Sequence, residues 1–294
     1  MIEYSDIENL NEDNLRELES VYGEIIYLKR KNPGKYEPYL FLSLYYIITK
    51  DYIAAENNIL EALKIDPENG YLLSRYAYIL LKQENIDCAN KAIIKALKSQ
   101  NKNKFIYHIN GLIKTRLKDY EESKKSYEKV LLMDPYYAPA LYNLAFYYLY
   151  RSNPKNVEKT KKLLLEEFRI YPNKTDSIEL LAGVYQQNKE YEISLLLYNY
   201  ILSKNPNKFS TIRAKAIIYR DMGEFDRSLE LFQKLIELNS FKISEYYKDI
   251  VWEIYRVKKD LKMTAFYLKK ASKFNQTKEI IDKTQQIDEL LKKQ

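Results

Sequence analysis

Residues 59–70 read ILEALKIDPENG and residues 127–138 read YEKVLLMDPYYA. In both, an apolar-periodic run stops at a proline, Pro67 or Pro135, and a second run starts a few residues on. Proline lacks the amide hydrogen and the steric room to sit inside a helix, so each one marks where a helix ends. Working outward, Pro33, Pro67, Pro135, Pro172 and Pro206 are separated by 34, 68, 37 and 34 residues: one period, two periods, one period with a three-residue insertion, and one period. A fixed spacing of this length is the mark of a solenoid, in which each unit buries its apolar face only against the next.

Units counted from Tyr36, Gly70, Lys104, Ala138, Thr175, Phe209 and, after a two-residue slip, Glu245 bring like residues to like positions. Position 8 is small: Ser43, Ala77, Gly111, Ala145, Ala182 and Ala216. Position 20 is small too: Ala55, Ala89, Ser123, Thr160, Ser194, Ser228 and Thr264. Position 24 is large: Ile59, Ile93, Tyr127, Leu164, Tyr198, Phe232 and Leu268. Small side chains let helix axes approach to about 8–10 Å, and large ones opposite them fill the space left.

A 34-residue helix–turn–helix unit with these small and large positions resembles the tetratricopeptide repeat family. The resemblance implies an all-α fold, an α-solenoid wound as a right-handed superhelix of tandem repeats. It implies units at 36–69, 70–103, 104–137, 138–174, 175–208, 209–242 and 245–278, each a helix A followed by a helix B. Residues 1–35 read as a degenerate leading half repeat, with Leu18, Val21, Ile25 and Leu28 at helix B offsets and the segment Glu3 to Asn14 too polar to pack. Residues 279–294 read as a helix capping the last unit. The sequence departs from the family pattern in places. The Trp often found at position 4 is missing, Lys114 takes a core place at position 11, and Trp252 takes the small position of the seventh unit.

Composition narrows the function. The chain has 294 residues, 30% of them charged, with only 6 Gly and 8 Pro, which suits long helices with a solvated surface. The six glycines are isolated, so no loop cradles a phosphate. His108 is the only histidine and Cys88 the only cysteine, and neither has neighbours that would complete a triad or a metal site. His108 is expected to line the groove or be partly buried, and Cys88, one residue before a small packing position, to be buried or half-buried. No catalytic residue, cofactor or metal is expected. No apolar run is long enough to span a bilayer, and the acidic, polar start lacks the features of a signal peptide, so a cytoplasmic location is expected.

In the family, positions 2, 5, 9, 12 and 13 of helix A face a concave groove. Carried onto this chain, the resemblance implies a protein-binding strip of Leu40, Leu44, Ile47, Tyr71, Tyr78, Leu81, Phe105, His108, Leu112, Tyr142, Phe146, Leu149 and Tyr150. The same positions in later units are polar: Asp176, Glu179, Gln186, Gln187, Arg213, Arg220, Asp221, Asp249, Glu253 and Arg256 are among them. The expected function is a non-catalytic scaffold or adaptor holding a protein or peptide segment in the groove, within the assembly of a larger complex. The alternative for the strip is that neighbouring helices or the N-terminal segment cover it. Family members that clamp the C-terminal carboxylate of chaperones place Lys, Asn and Arg at fixed offsets; only Asn143 fits, so that activity is not expected. Net charge is +7, with lysines gathered at Lys95, Lys98, Lys102 and Lys104 and again from Lys258 to Lys273. The alternative function is therefore an adaptor whose basic surface contacts nucleic acid or another acidic partner.

Overall fold

The computed structural model describes residues 12–100, 102–238, 259–273 and 277–293. Among these residues every regular element is a helix. The chain divides into two compact units, one up to Ile170 and one from Tyr171. The first holds α1 (Glu12–Lys31), α2 (Glu37–Ile48), α3 (Tyr52–Ile65), α4 (Gly70–Lys82), α5 (Ile86–Lys98), α6 (Lys104–Arg116), α7 (Tyr120–Met133), α8 (Ala138–Tyr150) and α9 (Val157–Ile170). The second holds α10 (Thr175–Gln187), α11 (Tyr191–Lys204), α12 (Phe209–Asp221), α13 (Phe225–Leu238), α14 (Leu261–Ser272) and α15 (Lys278–Lys292). The first helix expected of the seventh unit, with Trp252, Asp249, Glu253 and Arg256, lies outside the described residues.

Within each unit the helices pack as hairpins, α2 on α3 through α8 on α9 in the first, α10 on α11 and α12 on α13 in the second. Each hairpin then leans its second helix on the first helix of the next, as α3 does on α4 and α11 on α12. First helices of successive hairpins also touch directly, α4 with α6 and α10 with α12. For these two pairs the first helices stand closer together than the second ones α5 and α7, or α11 and α13, which puts them on the inner side of the stack there.

The turn inside the hairpin repeats almost atom for atom. Position 15 is left-handed in Lys50, Glu84, Lys118 and Lys189 (each φ 62°), in Gly223 (φ 81°) and in Lys259 (φ 55°). The next amide donates back to the carbonyl at position 11: Asp51 to Tyr46, Asn85 to Leu80, Asp119 to Lys114 and Glu190 to Tyr185, each at 2.9 Å. This closure ends the first helix by satisfying a carbonyl that has no partner in its own helix. The same residue then caps the second helix. Asp51, Asn85, Asp119 and Asp260 each accept a hydrogen bond from the amide three residues on. In the unit with the insertion, Asn156 takes over both tasks. Its amide reaches the position 11 carbonyl of Tyr148 at 3.1 Å, and its side chain caps α9 through the Lys159 amide. The three extra residues are looped out without disturbing the hairpin.

The small positions carry more than space. Ser123, Ser194 and Ser228, at position 20, donate their hydroxyls to the position 8 carbonyls of Gly111, Ala182 and Ala216 at 2.8–2.9 Å. In the hairpin of α2 and α3 the direction reverses, with Ser43 donating to the Ala55 carbonyl at 2.8 Å. Position 24 fills the remaining volume, with Ile59, Ile93 and Leu164 fully buried and Tyr127 nearly so.

One reading of a single residue changes. Cys88 is exposed, not buried. It precedes the buried Ala89 on α5, and one helical step turns it about 100° away from the core. Lys114 is half-buried and is satisfied rather than stranded, its ammonium bonding the Asn90 side chain at 3.2 Å. At the ends, Ile25 of α1 is buried while Val21 and Leu28 are exposed, and α15 packs on α14 through the buried Ile280 and Ile287.

Candidate partner-binding face

The inner helices α4, α6 and α8 position every candidate from Tyr71 to Tyr150, and α2 carries Leu40, Leu44 and Ile47. The structure sorts these thirteen residues by accessibility. Leu40, Ile47, Tyr78, Leu81, Phe105, His108 and Leu149 are buried. Leu44, Tyr71, Leu112 and Tyr142 are half-buried. Phe146 and Tyr150 are open, at 36% and 43% of full exposure.

Burial along α4 and α6 has a specific cause. The Arg75 guanidinium lies over the Phe105 ring at 3.7 Å and the Tyr71 ring at 4.8 Å, and it donates to the Tyr71 hydroxyl. Phe105 meets the His108 ring at 6.4 Å, and His108 in turn meets Tyr137 edge-on at 5.3 Å and Tyr127 at 6.1 Å. A stack of rings with a cation on top fills the space between α4 and α6, and cation–ring contact lets the charge stay there at low cost. Sequence reading passed over Arg75 because position 6 was not among the groove positions. A charge flanked by aromatic residues at helical spacing, Tyr71 and Tyr78, was the available signal.

On α8 the inner face is different. Tyr142, Phe146 and Tyr150 are spaced by four and form one stripe along the helix, with the Phe146 and Tyr150 rings 4.6 Å apart. Tyr147 and Tyr148 face the other way. The Tyr147 hydroxyl donates to Glu121, whose carboxylate, with burial, pushes the phenol up to about 12. The Tyr148 hydroxyl accepts from Lys159.

Helices α4, α6 and α8 contain Arg75, Lys82, Lys104, Lys114 and Arg116 and no Asp or Glu, whereas α3, α5 and α7 carry both signs, with Glu56, Glu61, Asp87, Glu121, Glu122 and Glu128 beside Lys64, Lys91, Lys95, Lys98, Lys124, Lys125 and Lys129. Lys104 bonds to Asp134 and holds that carboxyl below the usual range. In the second unit the inner helices carry both signs, and Lys208 bridges Glu179 at 2.8 Å. Among the described residues no group of three His, Cys, Asp or Glu could hold a metal, and no helix is long and apolar enough to cross a membrane.

A profile of the tetratricopeptide repeat family matches residues 36–69, 106–137 and 214–241. These three segments are tetratricopeptide repeats. Solved structures of repeat proteins share this fold. The C-terminal part of a tetratricopeptide repeat protein from Cytophaga hutchinsonii superposes with a TM-score of 0.66 at 16% identity, over 84% of this chain and 98% of that one. PilF from Pseudomonas aeruginosa gives 0.61 at 18% identity, over 70% of this chain and 92% of its own. Cut9, in a hetero-tetramer with Hcn1, gives 0.65 at 15% identity, over 80% of this chain and 45% of that one. At such identities the likeness is one of fold. No curated protein matches the chain. Tetratricopeptide repeats serve in general as protein-interaction scaffolds.

Proposed function

We propose that this protein is a non-catalytic scaffold that seats an apolar or aromatic segment of a partner protein on the inner face of its first unit, against Tyr142, Phe146 and Tyr150. The observation that supports this is the open Phe146–Tyr150 pair, with ring centroids 4.6 Å apart and planes tilted by 51°. A soluble surface gains nothing from two adjacent exposed rings on one helix face, and such patches mark interaction sites. The buried members of the strip, Phe105 and His108 among them, act in this reading as the rigid floor beneath the seat. The division into seven units between 36 and 278, with a leading half repeat and a capping helix, and a cytoplasmic location belong to the same proposal.

The test is affinity purification of the tagged chain with mass spectrometry of what it retains, repeated with Phe146→Ser and Tyr150→Ser together. Both side chains are open, so helicity should be unchanged while the partner is lost. A variant that keeps the same partner at the same yield sinks the proposal.

A further inference from the structure

We infer that residues 2–11, which precede the described chain, lie across the inner face of the first unit and compete with the partner for the α8 stripe. The inference rests on the seat proposed above and adds an occupant from the chain itself. The direction of α1 carries it. Lys29, near the end of α1, sits over the ring of Tyr39, near the start of α2, at 4.7 Å. The Tyr22 ring lies 4.7 Å from that of Tyr45, near the end of α2. The two helices are therefore antiparallel, and α1 starts at the end of the unit where α2 stops. The short turns alternate the direction of every later helix as well, so α2, α4, α6 and α8 run parallel and all stop at that end. Leu112, Phe146 and Tyr150 stand in the C-terminal halves of their helices, toward the same end.

The reach fits. From Glu12 back to Ile2, ten extended residues span up to about 33–36 Å. At about 10 Å for each packed helix, α8 stands about 30 Å from α2. The chemistry fits too. Residues 2–11 read IEYSDIENLN. They are too polar to bury a helix face, but Ile2, Tyr4, Ile7 and Leu10 are spread along the segment as anchors. Laid across the face, Leu10 and Ile7 meet α4 and α6, and Tyr4 and Ile2 arrive at the α8 stripe. Glu3, Asp6 and Glu8 stand between the anchors with no base, and they pass over the end of the face that carries the exposed Lys82 and Arg116. The tether matters most. A segment joined to its site through α1 is present at an effective concentration of about millimolar, so a few modest contacts hold it. A partner must displace it, which keeps the open rings from adhering to unrelated apolar surfaces.

Disulfide trapping in the full chain tests this. One variant carries Ser5→Cys and Leu112→Cys with Cys88→Ser. The other carries Ser5→Cys and keeps Cys88, which is exposed near the start of α5, at the same end of the unit but on a second helix. Both positions are within the segment's reach, so a segment that is not docked couples to both alike. Each rate is divided by that of the same thiol with glutathione disulfide, and circular dichroism checks the fold. The expected result is a disulfide within one chain that forms about tenfold faster to position 112 than to Cys88, and Tyr4→Ser with Ile7→Ser should remove that preference. Equal rates, a faster Cys88 pair, no disulfide in either variant, or disulfides between chains overturn the inference and leave the seat standing. In the purification described above, Tyr4→Ser with Ile7→Ser should retain several-fold more partner, and an unchanged yield overturns the competition. A preference for position 112 in a protein whose Phe146→Ser, Tyr150→Ser variant keeps its partner supports the docked segment and sinks the seat.

Discussion

Tyr127 lies against the backbone of Gly111 so closely that a carbon added at Gly111 would fall 2.5 Å from Cε1 of the tyrosine ring. The contact joins position 8 of α6 to position 24 of α7, the small and large places of one hairpin. It explains why glycine, which lowers helix propensity by about 1 kcal/mol, is kept mid-helix here.

Gly111→Ala should therefore destabilise despite its better helix propensity. The ring it strikes is buried and packed against His108, so it has no cheap way to move. Overpacking costs about 1–3 kcal/mol, and set against a propensity gain of about 1 kcal/mol it should leave a net loss of up to about 2 kcal/mol. Urea unfolding measures it. Adding Tyr127→Leu should recover part of the loss, and a more stable single variant would contradict the contact.

Ser228→Ala tests the hydroxyl tie between α12 and α13. The Ser228 hydroxyl donates to the Ala216 carbonyl at 2.8 Å in a fully packed site. Losing it should cost about 1 kcal/mol without opening a large cavity. A thermal melt that does not move would show that the bond contributes nothing beyond what water supplies in the unfolded chain.

The turn offers a pair of substitutions with opposite signs at one structural position. Gly223 has φ 81° and open space around it, so Gly223→Ala should lose about 1 kcal/mol from the backbone alone. Lys118 holds φ 62° with a side chain, so Lys118→Gly should be neutral or gain up to about 1 kcal/mol, the relief of the left-handed strain set against the greater freedom of glycine in the unfolded chain. Paired denaturation curves decide it, and equal losses at both sites would refute the account.

Asp134 makes stability depend on pH. Its hydrogen bond from Lys104 lowers its folded value below that of the unfolded chain, with the Tyr136 amide adding to the effect. The contribution is therefore present above the ordinary carboxylate pKa of about 4 and is lost as pH falls through the lower, folded value. Both side chains are partly open, so it should amount to no more than about 1 kcal/mol. Lys104→Met should flatten this part of the acid limb of a stability–pH curve, leaving stability nearly unchanged once the pH is below the folded value of Asp134. An unchanged slope would remove the pair from the account.

Much of the fold was legible because packing repeats. Residues 34 apart do the same job, so Ala77, Ala145 and Ala182 announced the close approach of helices, and Ile59, Ile93 and Leu164 the volume opposite. What was not legible needed direction. Cys88 is one step from Ala89 in sequence but on the other side of α5. The serines at position 20 read as merely small, and their hydroxyl bonds to position 8 appear only when two helices are set side by side. The site was legible as a line of residues, but not which of them stay open, because that depends on how neighbouring side chains lean.

By itself, then, the chain's periodicity determined that helices form and which small and large positions meet between them, because in a one-dimensional stack those meetings recur at a fixed spacing. Tertiary structure alone decided that Arg75 fills the space between α4 and α6 while Phe146 and Tyr150 stay open on α8. The reason is that a large side chain can either plug a groove or line it, and only its neighbours across the gap settle which.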